Sequence, residues 1–507
     1  MMNRRSLLAA GVGLSATAGV SVIGARPRPK PGSTVPWDHL ASKLTGDLVT
    51  PGHDDYDRAR QLASAMFDSI HPQAVVQAET ARDVRTAMLF AQDNGVHTAV
   101  RSGGHSYGGW STSEGMVINL TRLNRVRPGP DSVSVGPGAL AVDIVSQLSP
   151  HGLTVPGGFC ATVSPGGFFT GGGTGWLYRK YGPASDSLRS AQVVLADGRI
   201  VTASEDSHRD LLWALRGGGG GNFGIVTDFE LEPARIPRVG HYTLTWSWDD
   251  AQRAVQGFLD WSVRASADLA ADGILDLPDA KPGAQPVFVV TGAHLGTMKQ
   301  LEAELAELVS LVGKEPATRA VEDMSYEKAM MRVFGCEDTA PEECRLVGAN
   351  RHAAVPRQAW VKNRGRKFSR VLPSSGVDAL LAAFDKDRRA GQSRAVSLLA
   401  LGKNANIPSV DSTAWPHRDA LYSGTLMVNL SDPTPDAEDR AAAESWVNDQ
   451  FDAIDPYSNG RSYVNFPDVE LTDHAEAYYG PNLPRLSEIK RTYDPHGFFT
   501  FPHAVPA

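Results

Sequence analysis

The chain has 507 residues, of which 42% are hydrophobic and 21% charged. This is the balance of a globular protein of two or three domains, and it excludes disorder as the default state. A formal net charge of −8, with no long Lys/Arg block or basic-aromatic stripe, argues against nucleic acid as a partner.

In chain order, Asn3-Arg4-Arg5-Ser6-Leu7-Leu8 and the mildly apolar run to Gly24-Ala25 read as a twin-arginine-type export signal over residues 1–25. A membrane anchor is the competing reading; the run is weakly apolar, and no other stretch approaches the roughly 18 apolar residues a span needs. Residues 26–60 read as a lead-in. Ala74–Ala78 predicts a strand, Thr80–Asn94 a helix capped by Thr80, and Thr98–Arg101 the next strand. Further short strands follow at Met116–Leu120, Ser132–Val135 and Gln192–Ala196. A helix is predicted over Asp210–Leu215 and a strand over Ile225–Leu231. After Pro237 the texture changes. Tyr242–Trp248 alternates as a strand with one wet face, Pro286–Thr291 is strand-like, and Asp250–Ala271 and Thr297–Val312 have helical periodicity. A last helix carries Leu483, Leu486 and Ile489 and stops at Asp494-Pro495.

The 50 glycines cluster at 103–109, 157–175 and 217–224, which marks backbone passing close to a partner. Gly219, Gly221 and Gly224 satisfy G-x-G-x-x-G, but a helix precedes them and a strand follows, the reverse of the dinucleotide fingerprint. Gly104-His105-Ser106-Tyr107-Gly108 matches a hydrolase nucleophile elbow with Ser106 as the nucleophile; an elbow opens a helix, and here a strand follows. No H-x-H, H-E-x-x-H or C-x-x-C spacing suggests a metal site. Of the three cysteines, Cys336 and Cys344 could pair in an exported chain, leaving Cys160 odd.

The segments Val100–Gly109, Pro156–Val163, Gly171–Gly182, Leu211–Gly224 and Tyr478–Pro502 resemble the berberine-bridge-enzyme-like FAD-linked oxidases. The look is that of the bacterial bicovalent members that oxidise oligosaccharides or antibiotic intermediates. The resemblance implies an α+β fold of the two-domain FAD-binding, vanillyl-alcohol-oxidase/PCMH type. Its flavin domain would span 60–238 and be completed by 456–507, with an antiparallel-sheet substrate domain inserted at 239–455. It carries His105 and Cys160 over as the two covalent flavin tethers. Arg101, Ser102, Gly103, Gly104, Ser106, Gly157, Gly158, Gly166, Gly167, Gly224, Ile225, Val226 and Asn465 would line the cofactor. Val163 matches a position that gates oxygen access, and its small side chain resembles the oxidase type.

The implied reaction is hydride transfer from an alcohol or hemiacetal carbon of a sugar or natural product to the flavin, with dioxygen giving hydrogen peroxide. The base is open between Tyr463, in Tyr463-Val-Asn465-Phe466-Pro-Asp468 where relatives commonly have a second tyrosine in place of Phe466, and Tyr178. Thr174 stands where many relatives carry another tyrosine. His417, in Thr413-Ala-Trp415-Pro-His417-Arg418, faces either the pocket or the core. The partners expected are a small-molecule substrate and dioxygen, with no stable membrane association once the signal is removed, in a monomer or small homo-oligomer. The rival functions are a serine hydrolase at Ser106 and a non-catalytic flavin- or carbohydrate-binding protein.

Overall fold

The computed structural model describes residues 35–507, so the export signal expected at 1–25 lies outside the described residues. Three sheets follow one another along the chain. The first contains β1 (Asp47–Val49), β2 (Ala74–Gln77), β3 (Thr98–Arg101) and β4 (Met116–Asn119), in the order β1-β2-β4-β3. The β2-β4 and β3-β4 pairs are parallel, linked by the helix Ala81–Asn94. That helix starts in a capping box, with the Thr80 hydroxyl accepting from the Asp83 amide at 3.1 Å, and stops at Gly95 with φ +62°. The lead-in is part of this layer: β1 pairs with β2, and Leu40, Val49 and Tyr56 are buried.

The second sheet is antiparallel. It contains β5 (Val126–Pro128), β6 (Val133–Val135), β7 (Leu188–Val194), β8 (Ile200–Ala203) and β9 (Ile225–Leu231), ordered β5-β6-β9-β7-β8. The third has seven antiparallel strands: β10 (Arg238–Ser247), β11 (Leu269–Leu277), β12 (Val287–His294), β13 (Thr318–Ser325), β14 (Trp360–Phe368), β15 (Gln392–Ala400) and β16 (Tyr422–Leu430). The helix predicted over 250–271 ends at Arg264. Ala265 turns to extended backbone with ψ 155°, and the apolar residues that prolonged the periodicity belong to β11.

Strand alternation gives the seven-stranded sheet two distinct faces. Tyr242, Leu244, Leu275, Phe288, Val290, Val396, Leu426 and Val428 join Phe258, Leu305, Leu380 and Trp446 of four helices in one large core. On the opposite face, Ala270 and Ala293 pack with Trp176 and Leu177, and Leu399 packs with Tyr178, Trp415 and Tyr463. That face therefore looks onto the glycine-rich segment 157–182. Residues 462–505 return to the second sheet: Tyr478, Tyr479, Leu486, Ile489 and Val505 share its core. Lys490 is buried among Asp494 (2.7 Å), the Asn222 carbonyl (2.8 Å) and the Phe499 carbonyl (2.6 Å), while the Val505 amide donates to Asn222 Oδ1. No helix among the described residues is long and apolar enough to cross a membrane.

Candidate active site

β3 delivers the chain into the loop that bears His105. Gly104 (φ +72°) and Gly109 (φ +70°) take a left-handed backbone there. The loop lies directly on segment 160–166. A Cβ at Gly103 would stand 2.9 Å from the Ser164 amide, and one at Gly166 would stand 2.7 Å from Ser102 Oγ. Ser102 and the Gly166 amide both donate to the Pro137 carbonyl. His105 Nε2 is bonded to Thr162 Oγ1 at 2.8 Å, and the Thr162 backbone also hydrogen-bonds the ring. Burial pushes the imidazole down to about 4, so the ring is neutral near pH 7. Two residues before Thr162, Cys160 keeps an exposed thiol, while the protein around it pushes that thiol above its ordinary range. Both properties suit a group at the bottom of an open cleft.

The remaining expected cofactor residues divide. Gly167 borders open space, and a Cβ at Gly157 would meet only the Val155 carbonyl, at 3.9 Å. Gly158 lies under the Phe168 ring, where a Cβ would stand 2.9 Å away. Val163 lines a small apolar cavity with Ala141, Ile144, Val145, Met330 and Phe334. Asn465 donates to the Phe168 carbonyl (3.0 Å) and the Tyr463 hydroxyl (2.9 Å). At five further positions the structure shows what the side chain, or its absence, does within the protein. Arg101 spends its guanidinium on the carbonyls of Ala59, Arg60, Gln61 and Ser111, tying the N-terminal segment to β3. Ser106 Oγ accepts from the Trp110 amide in a turn, and the next regular element is β4, so no helix opens at Ser106. A Cβ at Gly224 would stand 2.5 Å from Val193, which makes it a packing glycine. Ile225 and Val226 are buried core residues of β9, able to offer a ligand only their backbone.

Tyr463 is the centre of the aromatic cluster. Its hydroxyl accepts from the Gly173 amide and from Asn465 Nδ2, both at 2.9 Å. Its ring meets Trp415 (5.5 Å) and Phe466 (5.3 Å), and Phe466 meets Tyr107 (5.6 Å). The Lys367 ammonium stands 4.7 Å from the Tyr463 ring centroid, bonded to Ser423 Oγ of the paired strand at 3.1 Å. Burial pushes Tyr463 up to about 12 and Lys367 down to about 7. Tyr178 is buried against Trp415, whose Nε1 donates to its hydroxyl at 3.3 Å, and burial raises its pKa. His417 is buried with its ring 4.5 Å from Trp415. Its Nδ1 has no partner, and burial plus the nearby Lys367, Arg461 and Arg418 hold it well below the ordinary range. Lys367 was invisible in the sequence because nothing local marks it. Tyr107, whose phenol bonds to the Gln358 side chain, was legible only as part of the His105 loop. No three His, Cys, Asp or Glu side chains among the described residues converge as metal ligands.

Residues 72–204 match the model of the FAD binding domain, and residues 462–506 match that of berberine and berberine like proteins. The chain thus carries both the flavin-binding domain and the C-terminal segment found in berberine-bridge-enzyme-like FAD-linked oxidoreductases. It is 28% identical over 472 residues to the FAD-linked oxidoreductase YgaK of Bacillus subtilis, covering 92% of this chain and 98% of that one. It is 27% identical to the carbohydrate oxidase of Microdochium nivale, covering 90% and 92%. The structure superposes on that of Physcomitrella patens BBE-like 1 with a TM-score of 0.83 at 24% identity, over 94% and 99% of the two chains. The two-domain α+β FAD-binding fold is therefore the fold of this protein, which is an FAD-linked oxidoreductase. The residues fit FAD. A ligand could approach the backbone closely at Gly167, where nothing stands within 4 Å of a Cβ, and the buried Ser164 hydroxyl beside Gly103 has no protein partner. An imidazole and a thiol sit on adjoining loops.

Proposed function

We propose that this protein is a bicovalent FAD oxidase of an alcohol or hemiacetal carbon in a sugar or natural-product substrate. The observation that carries the reading is the seating of the His105 loop on segment 160–166, which sets an imidazole and an exposed cysteine on adjoining loops. The His105 imidazole and the Cys160 thiol are the groups that would hold the cofactor, both uncharged nucleophiles or nucleophile precursors near neutral pH. When bound, FAD supplies a two-electron acceptor for the substrate hydride and passes the electrons to dioxygen, giving hydrogen peroxide. Val163 and the apolar cavity behind it favour the oxidase type of reactivity.

Tyr463 is the residue that takes the hydroxyl proton. Two N–H donors converge on its oxygen, and a phenolate there would be the counter-charge that Lys367 lacks. A relative named for carbohydrate oxidation supports a sugar-type substrate. Export through the 1–25 segment is consistent with the Cys336–Cys344 disulfide, which forms in oxidising compartments. The partners are then the substrate and dioxygen, in a monomer or small homo-oligomer.

Acid precipitation tests the attachment. The pellet is expected to stay yellow in wild type and in the His105→Ala and Cys160→Ala single variants, and to turn colourless only in the double variant. Release of all flavin by either single substitution rejects two tethers.

A further inference from the structure

The cleft-facing side of the seven-stranded sheet carries two carboxylates of β11 without a counter-charge among the described residues, Asp276 and, nearer the glycine-rich segment, Asp272. Asp272 sits on β11 between Ala270 and Ile274, opposite Thr291 of β12 and Leu399 of β15. Its neighbours place it over the site. Ala270 belongs to one hydrophobic cluster and Leu399 to another, and Phe159, which immediately precedes Cys160, packs against both. The Ser397 hydroxyl lies within 2.8 and 2.9 Å of the two Asp272 oxygens and holds the carboxyl in orientation. Asp272 keeps some exposed surface and has no cationic partner among the described residues. The hydroxyls beside it, Ser397, Thr291 and Thr243, are neutral, and the last two bond to each other at 3.0 Å. Burial pushes the carboxyl up to about 7, which marks it as poorly hydrated and short of donors.

We infer that Asp272, oriented by Ser397, is a substrate-recognition residue that accepts hydrogen bonds from vicinal hydroxyls of a carbohydrate or polyol bound between the sheet and the Phe159–Cys160 turn. This rests on the oxidase reading above and names the substrate class of that same site. A carboxylate offers two coplanar acceptors, which matches the spacing of adjacent hydroxyls. A ligand ammonium would be the other natural partner of a lone carboxylate, but the neutral hydroxyls around Asp272 favour donors without charge.

The test uses flavin-loaded wild-type, Asp272→Asn and Ser397→Ala proteins. Binding of cellobiose, maltose, lactose, glucosamine and coniferyl alcohol is followed by tryptophan fluorescence, and the limiting rate of flavin reduction by anaerobic stopped flow. At least one disaccharide should bind wild type. Asp272→Asn should weaken that binding about tenfold or more, and Ser397→Ala should weaken it less, as expected for loss of charge-assisted hydrogen bonds. The limiting reduction rate should hold within about threefold, and the affinity for coniferyl alcohol, which has no aliphatic vicinal diol, should not move. The inference is overturned by equal disaccharide affinity in Asp272→Asn, by equal weakening for coniferyl alcohol, by a loss confined to the reduction rate, or by preferential Asp272-dependent binding of glucosamine. Asp272-dependent disaccharide binding that never reduces the flavin rejects the oxidase reading and leaves the recognition role intact. Peroxide from coniferyl alcohol, with no disaccharide bound, does the reverse.

Discussion

At the scale of single residues, Lys367 and Tyr463 oppose each other's unfavourable states. A buried ammonium with only a serine hydroxyl as acceptor is costly, and so is a buried phenolate even with the hydrogen bonds that Asn465, Gly173 and Thr174 give Tyr463. Together each relieves the other. Tyr463→Phe is expected to lower the rate of flavin reduction by about 10²-fold or more, the usual range for a lost general base, with substrate affinity little changed. Because burial sets Tyr463 at about 12, the wild-type rate should climb with pH above neutrality, and Tyr463→Phe should flatten that climb. Lys367→Met should also lower the rate yet raise stability near pH 7. The folded chain holds this lysine near 7 and the unfolded chain near its ordinary 10.5. The unfolded state therefore binds more protons between those values, and stability rises with pH across that window. Removing the lysine removes the penalty. Melting temperature at pH 7 should rise by roughly 2–5 °C, and the gain should shrink as pH approaches 10.5. A lower melting temperature at pH 7 would contradict the buried, uncompensated ammonium.

At the scale of elements, the active centre depends on glycines that let loops touch. A Cβ at Gly171 would stand 1.9 Å from Asn465 Oδ1, the side chain that donates to Tyr463. Gly171→Ala is thus expected to displace Asn465 and reduce turnover about tenfold or more while the distant helix-side core of the seven-stranded sheet still folds, which circular dichroism would check. Such proximity explains what could be read from sequence. The alternating strands, the Thr80 cap and the glycine-rich motifs are local patterns, and their positions hold in the structure. The helix drawn through Ala271 failed because Leu269, Ala270 and Ala271 prolong the apolar pattern although the backbone leaves the helix at Ala265 and these three begin β11. Arg101 and Ser106 sit inside a recognisable motif, but their partners are carbonyls and an amide of neighbouring chain, which the motif does not display. Lys367 meets Ser423, 56 residues away, and Asp272 meets Ser397, 125 residues away. Cross-strand meetings of that span leave no mark in either segment.

At the scale of the whole molecule, stability in mild acid is set by buried histidines. His503 bonds to the Tyr478 hydroxyl at 3.1 Å, stacks on His474 at 4.1 Å and lies against Trp110 of the His105 loop. Burial, with the adjacent His474, pushes it down to about 4, as burial does for His105. Both are neutral in the folded chain at a pH where the unfolded chain is protonated, so stability should fall as pH drops from about 6.5 to 4. His503→Phe should blunt that fall in urea titrations at pH 7 and pH 5; an unchanged difference between the two would remove His503 from the account. The contact between His503 and Trp110 has a second consequence, in time rather than energy. The loop bearing His105 is synthesised early, but Phe501 and His503, which pack on its Trp110, and Val505, which bonds to Asn222, come some four hundred residues and almost three hundred residues later. The packing of the His105 loop is therefore incomplete on a ribosome-bound chain until those late residues arrive, and the flavin attachment proposed above would follow their synthesis.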